Sequence, residues 1–288
     1  MQEKDWLILK TLYEEKNITK AAERLYITQP ALTYRLQAIE QEFDAKIVNR
    51  GKKGIEFTME GEYVYRYAEK MIVEFRNVKE TLKNMDNKIQ GKLRLAVSTS
   101  FAIHPLPMIL KDFLSLYPDV EVNLITGWSS EMVQLVNKEE AQIGIIRGEH
   151  FWSEAKKVIS EEPLIVASKQ KITLDQLPYL PRINCKNEYN LKQIINNWWD
   201  QHFTEPPLVT MEVNQLEICK NMVSRGLGYA IFPSSAIVEN EDIYKLKLLD
   251  KNNTPIIRKT SIIYRYESME SAVIKAFIDF INIRLPQL

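Results

Sequence analysis

At 288 residues, with 45% hydrophobic and 26% charged side chains, the chain has the make-up of an ordinary globular protein and the length for more than one core. Its 38 basic and 38 acidic residues cancel, so no global basicity announces a nucleic-acid partner and any positive charge for one has to be local. No apolar run approaches bilayer-spanning length, and the opening MQEKDW lacks the basic and apolar regions of a signal peptide, so a cytoplasmic protein with no membrane partner is expected.

In chain order, residues 5–15 read as a helix with Trp6, Leu9, Leu12 and Tyr13 inward, ended by Asn17 in a left-handed conformation. The stretch NITKAAERLYITQPALTYRLQAIEQEF, residues 17–43, reads as two short helices joined at Tyr26 and Ile27. Thr19 is the expected N-cap of the first and Thr28 of the second, with Pro30 in a first turn where a missing N–H costs little. On the second helix Leu32, Leu36, Ile39 and Phe43 share one apolar face, which leaves Gln29, Thr33, Tyr34 and Gln37 outward. Side chains able to bond or pack against base edges, on a helix held by its other side, have the layout of a helix-turn-helix recognition helix. Any pair of amphipathic helices in a bundle would show the same stripe, so the pattern alone leaves DNA binding and a plain helical bundle open. Two short β-prone runs follow, residues 46–49 and 55–58, with Arg50, Lys52 and Lys53 in the turn between them. They read as a hairpin wing whose tip reaches phosphates beside the groove.

From Thr58 to Gly91 the chain has no Pro, and no Gly except Gly61. Val64, Ala68, Met71, Phe75, Val78, Leu82 and Met85 alternate steps of four and three residues, a narrow coiled-coil seam. At 1.5 Å per residue such a helix is about 45 Å long, more than the small N-terminal core can cover, so its expected partner is the same helix of a second chain.

After a hinge at Gln90 and Gly91 the sequence changes character. Strands are expected at residues 93–97, 120–126 and 143–146, with helices to 117 and from Ser129 or Ser130 to 137. A second set places strands at 181–185, 208–213 and 229–232, helices at 188–202 and 216–225, strands near 243–248 and 257–266, and a final helix at 269–283. Alternating strands and helices imply a parallel sheet with helices on both faces, and two sets of this length imply two lobes. The expected crossings between them lie at 162–167 and 264–267.

The segment AAERLYITQPALTYRLQAIE, followed by a basic hairpin and TMEGE, closely resembles the N-terminal domain of the LysR-type transcriptional regulators, and MVSRGLGYAIFP matches that family's second-lobe pattern. The resemblance implies a multidomain α+β fold. Residues 1–58 would be a winged helix-turn-helix and 59–91 a dimerising linker helix. Residues 92–288 would be a two-lobed effector-binding module similar to periplasmic solute-binding proteins, with lobe I at 92–162 and 267–288 and lobe II at 163–266. The implied function is a ligand-responsive regulator that binds operator half-sites as a dimer or tetramer, with double-stranded DNA, a small-molecule effector, further copies of itself and RNA polymerase as partners. DNA contact is expected from Thr28, Gln29, Pro30, Thr33, Tyr34, Arg35, Gln37, Arg50, Lys52 and Lys53. The family often has Ser then Arg where this chain has Thr33 and Tyr34. Arg35 lies about 100° further round the helix and does not simply substitute, so the bases read stay open.

Ligands of open α/β sheets sit beyond the carboxyl ends of strands, near helix N-termini. That rule nominates Ser98, Thr99 and Ser100, with Phe101 beside them, then Gly127, Ser129 and Ser130, and Arg147. Asn184 and Gly226 would close over them from lobe II. Hydroxyls and an arginine together suit a carboxylate or other small anion. No phosphate loop, nucleophile elbow or paired histidine is present, so neither an enzyme nor a cofactor is expected. Cys185 and Cys219 read as reduced structural thiols, with a redox pair as the alternative, and no metal spacing joins them to His104, His150 or His202. The competing functional reading is a cytoplasmic small-molecule sensor whose N-terminal helices bind protein rather than DNA.

Overall fold

The computed structural model of the chain describes residues 1–51, 54–83, 89–185, 189–237 and 242–284. They divide into two compact units, Met1–Lys88 and Ile89–Leu288. Lys52, Lys53 and Met85 lie outside the described residues.

The first unit runs α1 (Glu3–Glu15), α2 (Ile18–Arg24), α3 (Gln29–Glu42), β1 (Val48–Gly51), β2 (Gly54–Phe57) and α4 (Met59–Lys83). Leu9 and Leu12 of α1, Ala21 and Ala22 of α2, and Leu32, Leu36 and Ile39 of α3 share one core with Ile47, Ile55, Val64 and Ala68. Phe43, expected on the same face, instead closes α3 as its C-cap and is partly exposed. The first helix junction also differs from expectation. Lys16, not Asn17, takes the left-handed conformation (φ 49°), and Asn17 is the N-cap of α2, accepting the Lys20 N–H at 3.1 Å. An N-cap needs extended backbone, which Asn17 has (φ −149°), and this leaves Thr19 inside the first turn. Thr28 caps α3 as expected, accepting the Ala31 N–H. Tyr26 turns the chain at φ 55°.

β1 and β2 form an antiparallel hairpin. Glu40 of α3 accepts the Ile47 and Val48 N–H groups at 2.8 and 3.3 Å, which fixes the hairpin base to the helix. Thr58 caps α4 by accepting the Gly61 N–H at 2.9 Å. A Cβ on Gly61 would stand 2.0 Å from the Ile47 carbonyl oxygen, so only glycine allows the helix to start this close to the wing. The α4 seam is not uniform. Val64 and Ala68 belong to the unit's own core, and Phe75 meets Trp6 edge-on at 6.0 Å. Tyr65, off the seam, stacks on Tyr13 at 3.8 Å. Only further along do seam residues stand in the open, Val78 at 52% and Leu82 at 58% exposure. The stripe therefore serves its own unit first, because α1 lies along α4 from Tyr65, against Tyr13, to Lys79, which pairs with Glu3.

The second unit begins with β3 (Gly91–Ser98), α5 (Thr99–Ile103), α6 (Pro105–Leu116), β4 (Val120–Gly127), α7 (Ser129–Asn137), β5 (Ile143–Arg147) and β6 (Ala155–Ser168). It continues with β7 (Arg182–Cys185), α8 (Tyr189–His202), β8 (Val209–Val213), α9 (Leu216–Ser224), β9 (Ala230–Pro233), β10 (Tyr244–Lys247), β11 (Ile257–Tyr264) and α10 (Ala272–Arg284). β3 is parallel to both β4 and β5, and β7 is parallel to β8. The expected parallel sheet is instead mixed: β11 pairs antiparallel with β5 on one side and with the first part of β6 on the other, while β9 and β10 pair antiparallel with the far end of β6, because the crossing strands run between the lobes against the direction of their neighbours.

Strand alternation builds two lobes. In lobe I, Leu93, Leu95 and Val97 face α6 and α10, whereas Ala96, Ile146 and Ile263 face α7. In lobe II, Leu164 and Val166 face α8 through Leu191, Ile195 and Trp198, while Ile165 and Ala167 face α9 through Cys219 and Val223. β6 is the first crossing and is longer than the expected 162–167. Its exposed segment KKVISEE is held extended by the ladder to β11 rather than by apolar burial. The second crossing is not at 264–267. Ile257 already pairs with Pro163, and the strand then runs along β5 to Tyr264, so lobe II ends near residue 256. Trp128, not Ser129 or Ser130, is the N-cap of α7, and the Glu131 carboxylate accepts its N–H at 3.1 Å.

Candidate functional site

Two sites follow from these units, one in each. On α3 the buried stripe leaves Thr28, Gln29, Pro30, Tyr34 and Gln37 exposed and Thr33 half-buried. Tyr34 is 73% exposed and Arg50 of β1 is exposed as well. Arg35 is a correction. Its guanidinium grips Asp5 of α1 in a two-pronged ion pair, with Nη2 2.8 Å from Oδ2. Asp5 is fully buried and also accepts the Gln2 N–H at 2.6 Å. Burial by itself would raise this carboxyl; the hydrogen bonds from Arg35 and Gln2 and the Arg35 charge outweigh it and hold the group below the ordinary carboxylate value. A guanidinium so engaged joins α3 to α1 and is withdrawn from the polar outer face of α3. The signal in sequence was slight: an aspartate in an otherwise apolar helix stripe.

In lobe I the strand ends bring the hydroxyl residues together. Ser98 is buried and its Oγ has no hydrogen-bond partner among the described residues. Thr99 Oγ1 donates to the Gly127 carbonyl at 3.3 Å, and Ser100 and Ser130 keep open surface. Ser129 is buried, and its Oγ accepts the Arg147 N–H at 3.0 Å, so it braces the next strand end instead of facing solvent. Arg147 is 3% exposed and ion-paired with Glu162 of β6, Nη1 to Oε1 at 3.0 Å. Glu162 also accepts the Ser235 N–H of lobe II at 3.2 Å. This carboxylate, absent from the sequence expectations, ties the floor of lobe I to lobe II.

Three nominated residues are not brought to that place. Phe101 is 1% exposed and sits in the lobe I core with Leu106 and Phe113. Gly226 ends α9 with φ +78°, its N–H bonded to the Val223 carbonyl and the Leu227 N–H to the Met222 carbonyl, a helix-terminating role. It lies at the far end of α9 from Glu217, which meets His104 of lobe I at 3.8 Å, a separation of roughly 13 Å along the helix. Asn184 lines a cavity inside lobe II. The lobes meet instead through Asn190 at the start of α8, whose Nδ2 donates to the Glu149 carbonyl. Cys185 and Cys219 are reduced thiols packed in one cluster, and the contact with Cys185, then burial, push the Cys219 thiol up.

Residues 4–62 match the sequence profile of the bacterial regulatory helix-turn-helix protein, lysR family, and residues 86–285 match that of the LysR substrate binding domain. The chain belongs to the LysR family. This regulator is 41% identical over 282 residues to the uncharacterized HTH-type transcriptional regulator YraN of Bacillus subtilis, covering 98% of each chain. It is 35% identical to YkuM of the same organism, over 100% of this chain and 99% of that one. Among solved structures it shares the fold of full-length CbnR complexed with its target DNA (TM-score 0.66, 18% identity, 98% and 99% coverage). It also shares that of a full-length OxyR variant from Pseudomonas aeruginosa (TM-score 0.68, 18% identity, 98% and 95% coverage). It is a DNA-binding, ligand-responsive transcriptional regulator with an N-terminal helix-turn-helix and an effector-binding module. No helix among the described residues is long and apolar enough to cross a membrane.

Proposed function

We propose that this regulator binds two operator half-sites as a dimer, through Gln29, Thr33, Tyr34 and Gln37 in the major groove and Arg50, Lys52 and Lys53 on flanking phosphates. The observation that carries this reading is α3 itself, clamped by Arg35 to α1 and by Glu40 to the wing, with a polar face left free. The exposed distal seam of α4, Val78 and Leu82, supports pairing with a second copy that would bring two recognition helices to one site. Tyr34 suits a phosphate or a thymine methyl rather than the guanine an arginine would favour.

The effector of this reading is a small anion between the lobes. Its carboxylate would meet the unpartnered Ser98 hydroxyl and draw Arg147 away from Glu162. Glu162 also holds the Ser235 N–H, so the exchange would release a tie between lobes and give the two states different affinities for the ligand. Footprinting on DNA adjacent to the encoding gene, with and without candidate carboxylates, tests both halves. Gln29→Ala and Thr33→Ala should erase the protected half-sites, and Lys52→Ala with Lys53→Ala should flatten the salt dependence by about two units. Protection that persists in the α3 variants would remove that face from the interface.

A further inference from the structure

Lobe II holds a cavity of about 800 Å³ between α8 and the β7–β8 edge, all of whose lining comes from that lobe. At its base is Arg182, the first residue of β7. It is 7% exposed, its Nε has no hydrogen-bond partner, and no carboxylate lies within ion-pair distance among the described residues. Its guanidinium carbon stands 5.4 Å from the centre of the Trp199 ring, a partial substitute for a counter-charge. Burial lowers its pKa, opposed by the Tyr229 hydroxyl, as for a cation whose water has been removed without replacement. An arginine keeps its proton at any physiological pH, so a guanidinium in this position is built to receive an anion.

The rest of the lining says which anion. Register places Asn184 opposite Glu212, on the face of β7 and β8 that also carries Arg182, and Lys192 and Asn196 look across from α8. Glu212 makes no ion pair with Arg182 although it lines the same space. Two cations and one carboxylate leave a single net positive charge, which suits one negative charge and disfavours a dianion. Amide groups can serve polar substituents, and Ile195 and Ile218 offer an apolar wall.

We propose that Arg182 is the anchor of a second ligand site, inside lobe II and separate from the interlobe cleft, that binds a small monocarboxylate metabolite carrying a polar substituent. The site would let the regulator read a second metabolite, distinct from the one in the cleft, through the lobe that α8 and Asn190 dock against lobe I.

Thermal melts of the full chain with acetate, lactate and inorganic phosphate test this. A saturating monocarboxylate should raise the melting temperature of the wild type and of Ser98→Ala by about 3 °C. It should not move Arg182→Met, nor Asn196→Asp, which sets a repelling carboxylate on an exposed helix position and keeps the test available should Arg182→Met fail to fold. A response kept in both lobe II variants but lost in Ser98→Ala would assign the carboxylate to the interlobe cleft and overturn the proposal while sparing the cleft reading. A response to phosphate alone, or to no probe, would overturn it as well.

Discussion

Both lobes of the effector-binding module bury arginine side chains, and two of them, Arg147 and Arg182, are treated differently. Arg147 of lobe I, 3% exposed, has Glu162 3.0 Å away and its own N–H bonded to Ser129. Arg182 of lobe II, 7% exposed, has a tryptophan ring and a cavity. A buried charge is tolerable only when something answers it. In lobe I the chain supplies the answer, and a ligand there has to compete with Glu162. In lobe II no carboxylate among the described residues supplies it, and the cavity leaves room for one from outside. The DNA-binding unit follows lobe I: buried Asp5 is matched by Arg35, and the result is a rigid joint between α1 and α3.

This contrast can be broken by measurement. Glu162→Ala takes from buried Arg147 the carboxylate 3.0 Å away, and should lower the unfolding free energy of the effector module by about 3 kcal/mol in urea denaturation. An equal loss in Arg182→Met would show that both arginines are structural and would end the distinction. Asp5→Ala should cost the N-terminal unit about 2 kcal/mol, less than Glu162→Ala because the Arg35 head is partly in water. The same pair has a pH signature. The folded Asp5 carboxyl is held low, so its contribution is complete above the unfolded value, about 3.9, and disappears as pH falls through the lower folded value. The acid limb of stability should therefore be shallower in Asp5→Ala than in the wild type.

Arg182→Met should do least among the buried sites. Without anions it is expected to leave stability unchanged or raise it by about 1 kcal/mol, since removing an unanswered charge removes its desolvation penalty. Arg24→Ala sharpens the other end of the scale. Arg24 pairs with Glu14 and Glu15 at 2.8 Å on open surface, and its loss should leave the melting midpoint where it was.

Much of this architecture could be read from local pattern. The α3 cap at Thr28, the turn at Tyr26 and the buried triplet Leu32, Leu36 and Ile39 depend on residues a few positions apart, and local propensity agrees with the fold there. The alternating strands and helices of the effector module were equally plain. The misses share a cause. Asn17 and Trp128 cap their helices where Thr19 and Ser129 or Ser130 were expected, because backbone conformation at the entry decides which residue is extended. Phe101, expected beside the hydroxyl residues, lies on α5 with its ring in the lobe I core, next to Leu106 and Phe113.

Residue order alone thus carried the resemblance to the family, and it showed the polar outer face of α3 and the repeated strand–helix sets in spacings that a single helix or strand can enforce. Only tertiary structure decided which charges are spent inside the fold. Arg35 is 30 positions from Asp5, and Arg147 and Glu162 lie on different strands. Whether an arginine meets a carboxylate, a tryptophan or an open cavity depends on which elements the sheets bring together, and that is a property of the packed chain.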